Sequence, residues 1–356
     1  MLTFALIYKS SVMEISREIL QFLHYNPLSS REEIAKGIAF GSSEATLKRL
    51  IAALVSSGDV VVEGKARATR YRLSAQAHLL MPLNLDNYFA QDIDERKVQT
   101  SFNFDLIREQ MPSVTFFTED ERLRLNELQK EFRSHVDQMT ANEYNKEMER
   151  LGIDLSWKSS QIEGNTYSLL ETERLLRESK TADGKTQEEA LMLLNHKYAL
   201  RFILENPEYL QPLSVSRIED IHHLLTKGLS VDKGIRRRRV GITGTNYRPL
   251  DNEFQIREAM RDACDLINGK DDVFEKALLT LVLLSYIQAF SDGNKRTARI
   301  TSNAILIANG YCPLSFRSVD SIDYKKAMLI FYEQNNLYAF KNIFMDQFEF
   351  AVREYF

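Results

Sequence analysis

The chain has 356 residues, 44% of them hydrophobic, and a formal net charge of −4 at neutral pH. This length predicts two or three domains, and this composition supplies enough apolar side chains for a sizeable core. The small negative charge excludes a global attraction to nucleic acid, so any contact with DNA would need a local basic patch.

The sequence predicts a cytoplasmic protein. Its apolar runs are shorter than the roughly 18 residues that a membrane span needs, so we expect no membrane contact. Met1 to Lys9 is apolar but lacks a preceding basic region and a cleavage site, which favours a strand or a docking segment over a signal peptide. Cys264 and Cys312 form no metal-ligand pattern and are expected to be buried thiols in a reducing cytosol.

Residues 1–75 have the pattern of three helices followed by a β-hairpin. Apolar residues recur at helical spacing, a capping box stands at Ser30 to Glu33, and Gly58 and Gly64 mark turns. The predicted boundaries are Glu14 to Tyr25 for the first helix, Ser30 to Gly41 for the second, Ser42 or Ser43 to Ser57 for the third, and Val60 to Leu73 for the hairpin.

This order of elements resembles a winged helix-turn-helix domain. The resemblance implies that the third helix enters the major groove of DNA and that the hairpin contacts phosphates. The candidate DNA-binding residues are Ser43, Thr46, Lys48 and Arg49 on the helix, and Lys65, Arg67 and Arg70 on the hairpin. Many winged helices bind protein instead, and Glu44 and Glu63 weaken the basic patch. Reading an operator would normally require a homodimer with two half-sites.

Residues 76–115, here called the connector, link this unit to the rest of the chain. Pro82, the polar run Gln91 to Lys97 and Met111-Pro112 are typical of a domain boundary. Phe102 and Phe104 predict that the connector is docked rather than loose. Helical periodicity then predicts helices at Glu119–His135, Gln187–Leu204, Val215–Leu229, Glu253–Ile267 and Asp323–Glu333.

Two segments of the second part have unusual patterns. Residues 159–165 end in Glu163-Gly164-Asn165, which by itself indicates a helix that terminates at a left-handed glycine. Residues 240–249, here called the flap segment, alternate β-branched and small residues and predict a short exposed hairpin. The cations from Arg236 to Arg239 precede it, and such a run is typical of a solvated surface.

The most informative segment is Gln288 to Arg299, which lies between two apolar stretches that predict buried helices. A loop at the start of a helix presents free backbone N–H groups and the positive end of the helix dipole, which together suit a phosphate. Asp292 could hold a divalent metal beside that phosphate. Arg296 and Arg299 could grip its outer oxygens. The sequence therefore predicts a phosphate site here.

The same segment resembles the signature of the Fic family, H-x-F-x-[DE]-G-N-[GK]-R-x-x-R. The matching residues are Phe290, Asp292, Gly293, Asn294, Lys295, Arg296 and Arg299. The first position departs from it, because Gln288 stands where the family has a histidine that deprotonates a target hydroxyl before attack on the α-phosphate of ATP. A glutamine amide does not titrate near neutral pH and cannot take that proton.

The resemblance implies a set of ligand contacts. ATP would bind with Mg²⁺ at Asp292, Gly293 and Asn294 would donate to its phosphates, and Tyr324 would lie near the adenine. Core packing is an equally good account of Tyr324. His222 or His223 could replace the missing base, but adjacent helical residues point about 100° apart. That spacing predicts one core-facing and one solvent-facing imidazole.

Two further segments resemble parts of the same family. The inhibitory helix, [ST]-x-x-x-E-[GN], is matched near residues 155–165, in the subclass that carries it upstream of the core, by Ser159, Glu163, Gly164 and Asn165. In that subclass the glutamate pairs with the second motif arginine, here Arg299, and displaces the γ-phosphate. The flap hairpin that aligns the target backbone is matched by Val240, Gly241, Ile242, Thr243 and Gly244.

The sequence thus predicts a mainly α protein, with a Fic helical core at residues 116–356, a β-hairpin flap and an N-terminal winged helix-turn-helix domain. The predicted function is transfer of AMP from ATP to a Ser, Thr or Tyr hydroxyl of a target protein, inhibited by Glu163 and impaired by Gln288. The alternative is a non-catalytic regulator of transcription that senses a nucleotide or a partner and binds DNA.

Overall fold

The computed structural model describes residues 2–41 and 43–356, and the chain is mainly helical. The N-terminal unit, residues 1–75, contains three helices and an antiparallel pair of strands. Its elements are α1 (Leu2–Tyr25), α2 (Arg31–Gly37), α3 (Glu44–Ser56), β1 (Val60–Glu63) and β2 (Arg70–Leu73). Val60 pairs with Leu73, and Glu63 with Arg70. The unit has its own small core, which includes Ile19, Ile34, Leu47 and Leu50.

The capping signals of this unit are confirmed, and two boundaries are corrected. Ser30 and Glu33 form the expected capping box, and Ser43 caps α3, whereas Ser42 lies outside the described residues. Of the two alternatives for the first nine residues, a strand or a docking segment, the strand is wrong, because α1 begins at Leu2 in a stretch without Gly or Pro to interrupt a helix. The second helix ends at Gly37 rather than Gly41, since Ala39 has a positive φ.

The connector packs against the second part of the chain. It contains α4 (Ala75–Leu80), α5 (Leu85–Phe89) and a helical turn at Leu106–Gln110. Leu79, Phe102 and Leu106 are buried in the main hydrophobic core. The backbone N–H of Leu337 also donates to the Leu79 carbonyl, at 2.7 Å. The N-terminal unit is therefore tied to the second part of the chain through packed and hydrogen-bonded residues.

The second part of the chain is a bundle of helices around one large core. Its helices are α6 (Glu119–Gln138), α7 (Ala141–Ile162), α8 (Leu169–Glu178), α9 (Gln187–Glu205), α10 (Val215–Thr226), α11 (Glu253–Asn268), α12 (Val273–Ile287), α13 (Asn294–Ala308), α14 (Ser321–Gln334) and α15 (Tyr338–Tyr355). Helix α12 is buried from Phe274 to Ile287 except at Lys276, so it lies at the centre. Helices α8 and α15 were not predicted from the sequence, although Phe340, Phe344 and Phe348 recur at helical spacing in α15.

The flap segment is a loop, so the hairpin predicted for Val240, Gly241, Ile242, Thr243 and Gly244 is wrong. Across the described residues the paired strands are β1 and β2. An isolated two-stranded ribbon is marginally stable, and the glycines of this segment weaken it further. The chain turns at Gly244, whose φ is +88°, and the Arg248 N–H donates to the Thr100 carbonyl of the connector.

Cys264 and Cys312 are both buried free thiols, as predicted. None of the described helices combines the length and the hydropathy that crossing a membrane requires.

Candidate functional site

The site is built on the loop between α12 and α13. Gln288 ends α12 in the left-handed conformation, and Gly293, with φ +80°, precedes the first turn of α13. The Asn294 side chain closes the loop, because its Oδ1 accepts from the Phe290 N–H and its Nδ2 donates to the Phe290 carbonyl, both at 2.8 Å. The start of α13, with its free backbone N–H groups, therefore has a defined direction.

A cavity of about 430 Å³ lies above this loop. It is enclosed by the end of α7, the flap segment, the α12–α13 loop and one face of α14. The lining residues are Ile162, Glu163, Gly164, Val240, Gly241, Ile242, Thr243, Gln288, Ser291, Asp292, Asn294, Lys295, Tyr324, Lys325, Met328, Leu329 and Tyr332. The fold thus brings the three segments singled out from the sequence to one cavity.

Arg299 lies under the cavity floor and is fully buried. Its Nε donates to Ser159 Oγ at 2.8 Å, and its Nη2 donates both to the Ser159 carbonyl and to Glu163 Oε1, at 2.9 and 3.0 Å. Its Nη1 donates to the Tyr324 hydroxyl at 3.2 Å. Every nitrogen of this guanidinium group is therefore bonded to the protein.

Glu163 is the first residue after α7 and bridges two cations of α13. Its second oxygen lies 3.3 Å from Lys295 Nζ. Burial by itself would raise the pKa of the Glu163 carboxyl, but Arg299 and Lys295 outweigh it and hold that pKa below its ordinary value. Glu163 is therefore an anion at neutral pH. It accepts from one nitrogen of Arg299, Nη2, while Ser159 and Tyr324 accept from the other two.

Arg296 differs from Arg299 in having open hydrogen-bonding positions. It is 1% exposed, and its Nη2 donates to Asp292 Oδ2 at 3.0 Å. Among the described residues no partner reaches its Nε or Nη1. Burial lowers the pKa of this guanidinium, although Asp292 and Glu163 oppose the change. A buried cation with unsatisfied donors is costly, so an anion beside α13 would stabilise it.

Asp292 stands at the cavity edge with 64% of its side chain exposed. Its Oδ1 accepts from the Gly293 N–H at 2.6 Å, while its Oδ2 faces Arg296. The Gly293 N–H is thus bonded to a carboxylate, and the Asn294 amide is used within the loop. Neither the Gly293 N–H nor the Asn294 side chain is therefore free to donate to a phosphate, although both were predicted from the sequence to do so. The remaining candidate donors are the backbone N–H groups of the first turn of α13.

Gln288 lines the cavity in place of a titratable residue. Its Nε2 donates to the Ser285 carbonyl at 2.6 Å, so the amide folds back on the end of its own helix. Its backbone carbonyl accepts from Arg236 Nε at 2.6 Å. Arg236 is 2% exposed, which corrects its expected place in a solvated charge run, whereas Arg237, Arg238 and Arg239 are exposed. The buried Arg236 holds the turn at Gln288.

Two buried histidines support the site: His222, one of the two residues considered as a replacement base, and His196, which was not predicted from the sequence. His222 stacks on Phe290 at 3.8 Å, and its Nε2 donates to the Asp292 carbonyl at 2.9 Å. Burial lowers the pKa of His222 to about 4. His196 hydrogen-bonds Ser159 Oγ at 2.8 Å, and burial followed by the nearby arginines holds its pKa well below the ordinary value. His223 is exposed, so the predicted division between the adjacent imidazoles is confirmed.

The remaining candidates have plain structural roles. Tyr324 is buried and bonded to Arg299, with its ring at the cavity. Asn165 lies behind the end of α7, where its Nδ2 donates to the Glu189 carbonyl and its Oδ1 accepts from the Tyr167 N–H. Gly164 has φ +99°, as a left-handed helix end requires.

On the N-terminal unit the predicted DNA-binding residues form two groups. Lys48, Lys65 and Arg67 have exposed side chains. Ser43 and Thr46 bond each other at the start of α3, and Arg70 donates to the backbone of the hairpin turn. Arg49 is exposed and already engaged. The exposed lysines and Arg67 are therefore the residues best placed for a phosphate.

Comparison with known proteins agrees with this architecture. Residues 212–306 match the model of the Fic/DOC family. The protein adenylyltransferase fic-1 of Caenorhabditis elegans is 28% identical over 160 residues, 43% of this chain and 31% of that protein. The protein adenylyltransferase Fic of Nematostella vectensis is 30% identical over 176 residues, which are 47% and 40% of the two chains. The match thus spans less than half the length of these relatives.

Solved structures share the fold at low sequence identity. Fic-1 from C. elegans superposes with a TM-score of 0.57 at 22% identity and covers 66% of this chain and 72% of its own. A Fic family protein from Desulfovibrio desulfuricans G20 gives 0.56 at 17% identity, over 67% and 75% of the two chains.

Proposed function

We propose that this chain, which carries a domain of the Fic/DOC family, binds ATP at the cavity between α7, α13 and α14 and has the architecture of a protein adenylyltransferase held in an inhibited form by Glu163. The observation that carries the proposal is the pair of buried arginines on the first turns of α13. Every nitrogen of Arg299 donates a hydrogen bond, one of them to Glu163. Two nitrogens of Arg296, Nε and Nη1, have no hydrogen-bond partner among the described residues.

The residues present fit a nucleotide with its metal. The start of α13, Lys295 and Arg296 offer positive charge and free N–H groups for phosphates. Asp292 is the carboxylate that would hold Mg²⁺, and the metal, when bound, neutralises phosphate charge. Gly164, Met328 and Leu329 line the cavity with small or apolar surface that suits a base and a sugar. The flap segment is the edge at which a target backbone would lie.

Gln288 determines how fast any transfer could be. A glutamine can orient a target hydroxyl through its amide, but it cannot accept the proton. Loss of a general base typically costs about 10²- to 10⁴-fold in rate. We therefore infer slow AMP transfer at best, to a Ser, Thr or Tyr hydroxyl, even when Glu163 is removed.

The test compares transfer of labelled AMP by the parent, Glu163→Gly, and Glu163→Gly with Gln288→His, in the presence of Mg²⁺ and lysate proteins. Glu205→Gly is the matched control, since Glu205 is an exposed glutamate at the end of α9 that pairs with Arg201. We expect strong labelling from the histidine-restored variant alone. Labelling by Glu163→Gly within about a hundredfold of it would make Gln288 a tolerated residue. No nucleotide binding by any variant would reject the proposal.

The second candidate is a DNA-binding regulator whose second part senses a nucleotide. The observation that favours it is the N-terminal unit, in which exposed Lys48 lies on α3 and exposed Lys65 and Arg67 lie on the hairpin turn. This unit favours a regulatory function over catalysis, and so does Gln288, which cannot accept a proton. Binding to DNA fragments at several salt concentrations tests it. Lys48→Ala with Arg67→Ala should weaken binding and reduce its salt dependence, whereas Lys36→Ala on α2 should not.

A further inference from the structure

The connector contacts both walls of the cavity. Tyr88 donates to Glu333 Oε2 at 2.6 Å, and the Gln99 N–H donates to the Glu333 carbonyl at 2.8 Å, which holds the end of α14. Asn246 of the flap segment donates to Asp94 Oδ1 at 3.0 Å. The same short stretch of connector therefore grips α14 and the base of the flap segment.

Arg96 joins the two sets of contacts. Its Nη2 donates to the Gly244 carbonyl of the flap segment at 2.8 Å, while its Nη1 lies 3.3 Å from Glu333 Oε1. The side chains of Arg96 and Glu333 are 5% and 0% exposed. A planar guanidinium group can bond two acceptors in different directions at fixed geometry, which a single ammonium cannot do. The pair is a buried ionic link between a helix and a loop.

The flap segment depends on such links for its position. It has no strand pairing within the described residues other than the bridge between Arg248 and Ser101. A Cβ built on Gly244 would lie 3.5 Å from the Leu329 side chain, so the turn of the flap segment rests on α14. Leu329 of α14 and Thr243 of the flap segment both line the cavity, so the two elements that Arg96 joins both contribute to it.

We propose that Arg96 is a positioning residue that fixes the flap segment against α14, and so sets the width of the edge at which a target protein would dock. The consequence for target docking rests on the proposed function, because a target protein is aligned at this edge only if the cavity carries out AMP transfer. The positioning itself is a property of the fold. Since the connector follows directly on the N-terminal unit, the same residue links that unit to the cavity.

The test uses the full chain with a spin label at Thr243→Cys, an exposed position, since both native cysteines are buried. The test variant is Arg96→Met with Glu333→Gln, which removes both charges. Its control is Lys341→Met with Glu121→Gln, an ion pair at 2.7 Å between α15 and α6 whose lysine is 4% exposed and whose carboxylate is 22% exposed. Arg96→Lys keeps the charge beside Glu333 but loses the second arm of the fork.

We expect the test variant to shorten the rotational correlation time of the label by at least about twofold, with Arg96→Lys intermediate and the control unchanged. In the Glu163→Gly, Gln288→His background, AMP transfer to lysate proteins should fall about tenfold while affinity for a fluorescent ATP analogue changes less than about twofold. A merely structural role would lower affinity and transfer together.

An immobile label in the test variant, or equal mobility in the control, overturns the proposal. So does an Arg96→Lys variant whose label moves no more than the parent's, because the Gly244 contact would then have no role. Failure of the proposed function is recognised separately. The parent would bind no nucleotide analogue and the restored background would transfer no AMP, while the label mobility still decides the role of Arg96.

Discussion

Glu163 Oε1 lies 3.0 Å from Arg299 Nη2, so the residue that ends α7 is joined to the second turn of α13. The contact is made by a carboxylate that is 20% exposed and a guanidinium group that is fully buried. Because the Arg299 side chain is buried and the Glu163 side chain is partly exposed, we expect another anion to reach Arg299 Nη2 only when the Glu163 carboxylate moves away from it.

Glu163→Gln should lower the stability of the nucleotide-free protein by about 1–3 kcal/mol, since a buried guanidinium loses its counter-ion. Mg²⁺-ATP should restore this loss, so the ATP-dependent rise in melting temperature should exceed that of the parent. Differential scanning fluorimetry measures both. Glu121→Gln is the control, because Glu121 faces Lys341 with similar burial away from the cavity. An equal ATP response in both variants would contradict the displacement of Glu163 by phosphate.

The pH dependence of stability should carry a contribution from His222. The unfolded imidazole, with its ordinary pKa of 6.5, takes up a proton between pH 7 and 5, whereas the folded one, with a pKa of about 4, does not. The unfolded state therefore gains protons and stability falls as the pH falls through this window. His222→Gln should reduce that fall by about 2 kcal/mol between pH 7 and 5.

Urea unfolding at the two pH values tests this effect of His222. Glu163 does not contribute in the same window, because its depressed pKa places the loss of its ion pairs below the ordinary glutamate value of 4.5. A pH slope for His222→Gln equal to the parent's would mean that the native state accepts a charged imidazole beside Phe290.

Asp292→Asn should separate metal binding from phosphate binding. Without Mg²⁺ its affinity for ATP should equal or exceed that of the parent, because one carboxylate no longer repels the phosphates. With Mg²⁺ it should be weaker, since a hard divalent cation prefers a carboxylate ligand. Calorimetric titration with and without the metal measures the ratio. Asp251→Asn, an exposed carboxylate paired with Arg239, should retain the parent's metal dependence.

Gly293→Ala should lower the stability of the protein by more than the backbone strain of a positive φ alone would. The φ of Gly293 is +80°, and a Cβ there would lie 3.3 Å from Thr226 and 3.6 Å from Arg296 Nη2. Gly184→Ala is the matched control, because φ is +73° in open space. We expect about 1 kcal/mol of destabilisation at Gly184 and more at Gly293. ATP affinity should fall for Gly293→Ala alone. Equal effects on stability and affinity would contradict the tight fit of this loop.

Local signals in the chain predicted many of the elements and the ends of several. The capping box of Ser30 and Glu33 and the left-handed Gly164 were predicted, because a cap is satisfied by residues within a few positions of each other. The apolar run before Gln288 indicated the buried α12 in the same way. The contact of Glu163 with Arg299 followed from resemblance, and the structure brings the two side chains together.

Other features of the site could not be read from local patterns. The flap segment had the alternation of a hairpin, yet within the described residues its strand pairing is limited to the single bridge between Arg248 and Ser101. Arg236 stood in a run of cations, yet it is buried against the carbonyl of Gln288. Asn294 was expected to donate to phosphate, yet its amide closes the loop. The place of Arg236 is decided by a contact with a residue 52 positions away, whereas Asn294 bonds the backbone of Phe290, four positions earlier, in a turn that its residue type alone does not predict.

The sequence by itself determined where the chain turns, which helices are apolar on every side, and that Gln288 cannot take up a proton. These properties depend on residue types and on neighbours a few positions away. Only the tertiary structure decided that all nitrogens of Arg299 are hydrogen-bonded while two nitrogens of Arg296 have no partner among the described residues. It also decided that His222 donates to the Asp292 carbonyl and that Arg96 links α14 to the flap segment. Burial and partner choice depend on which distant elements pack together, and that packing exists only in the folded chain.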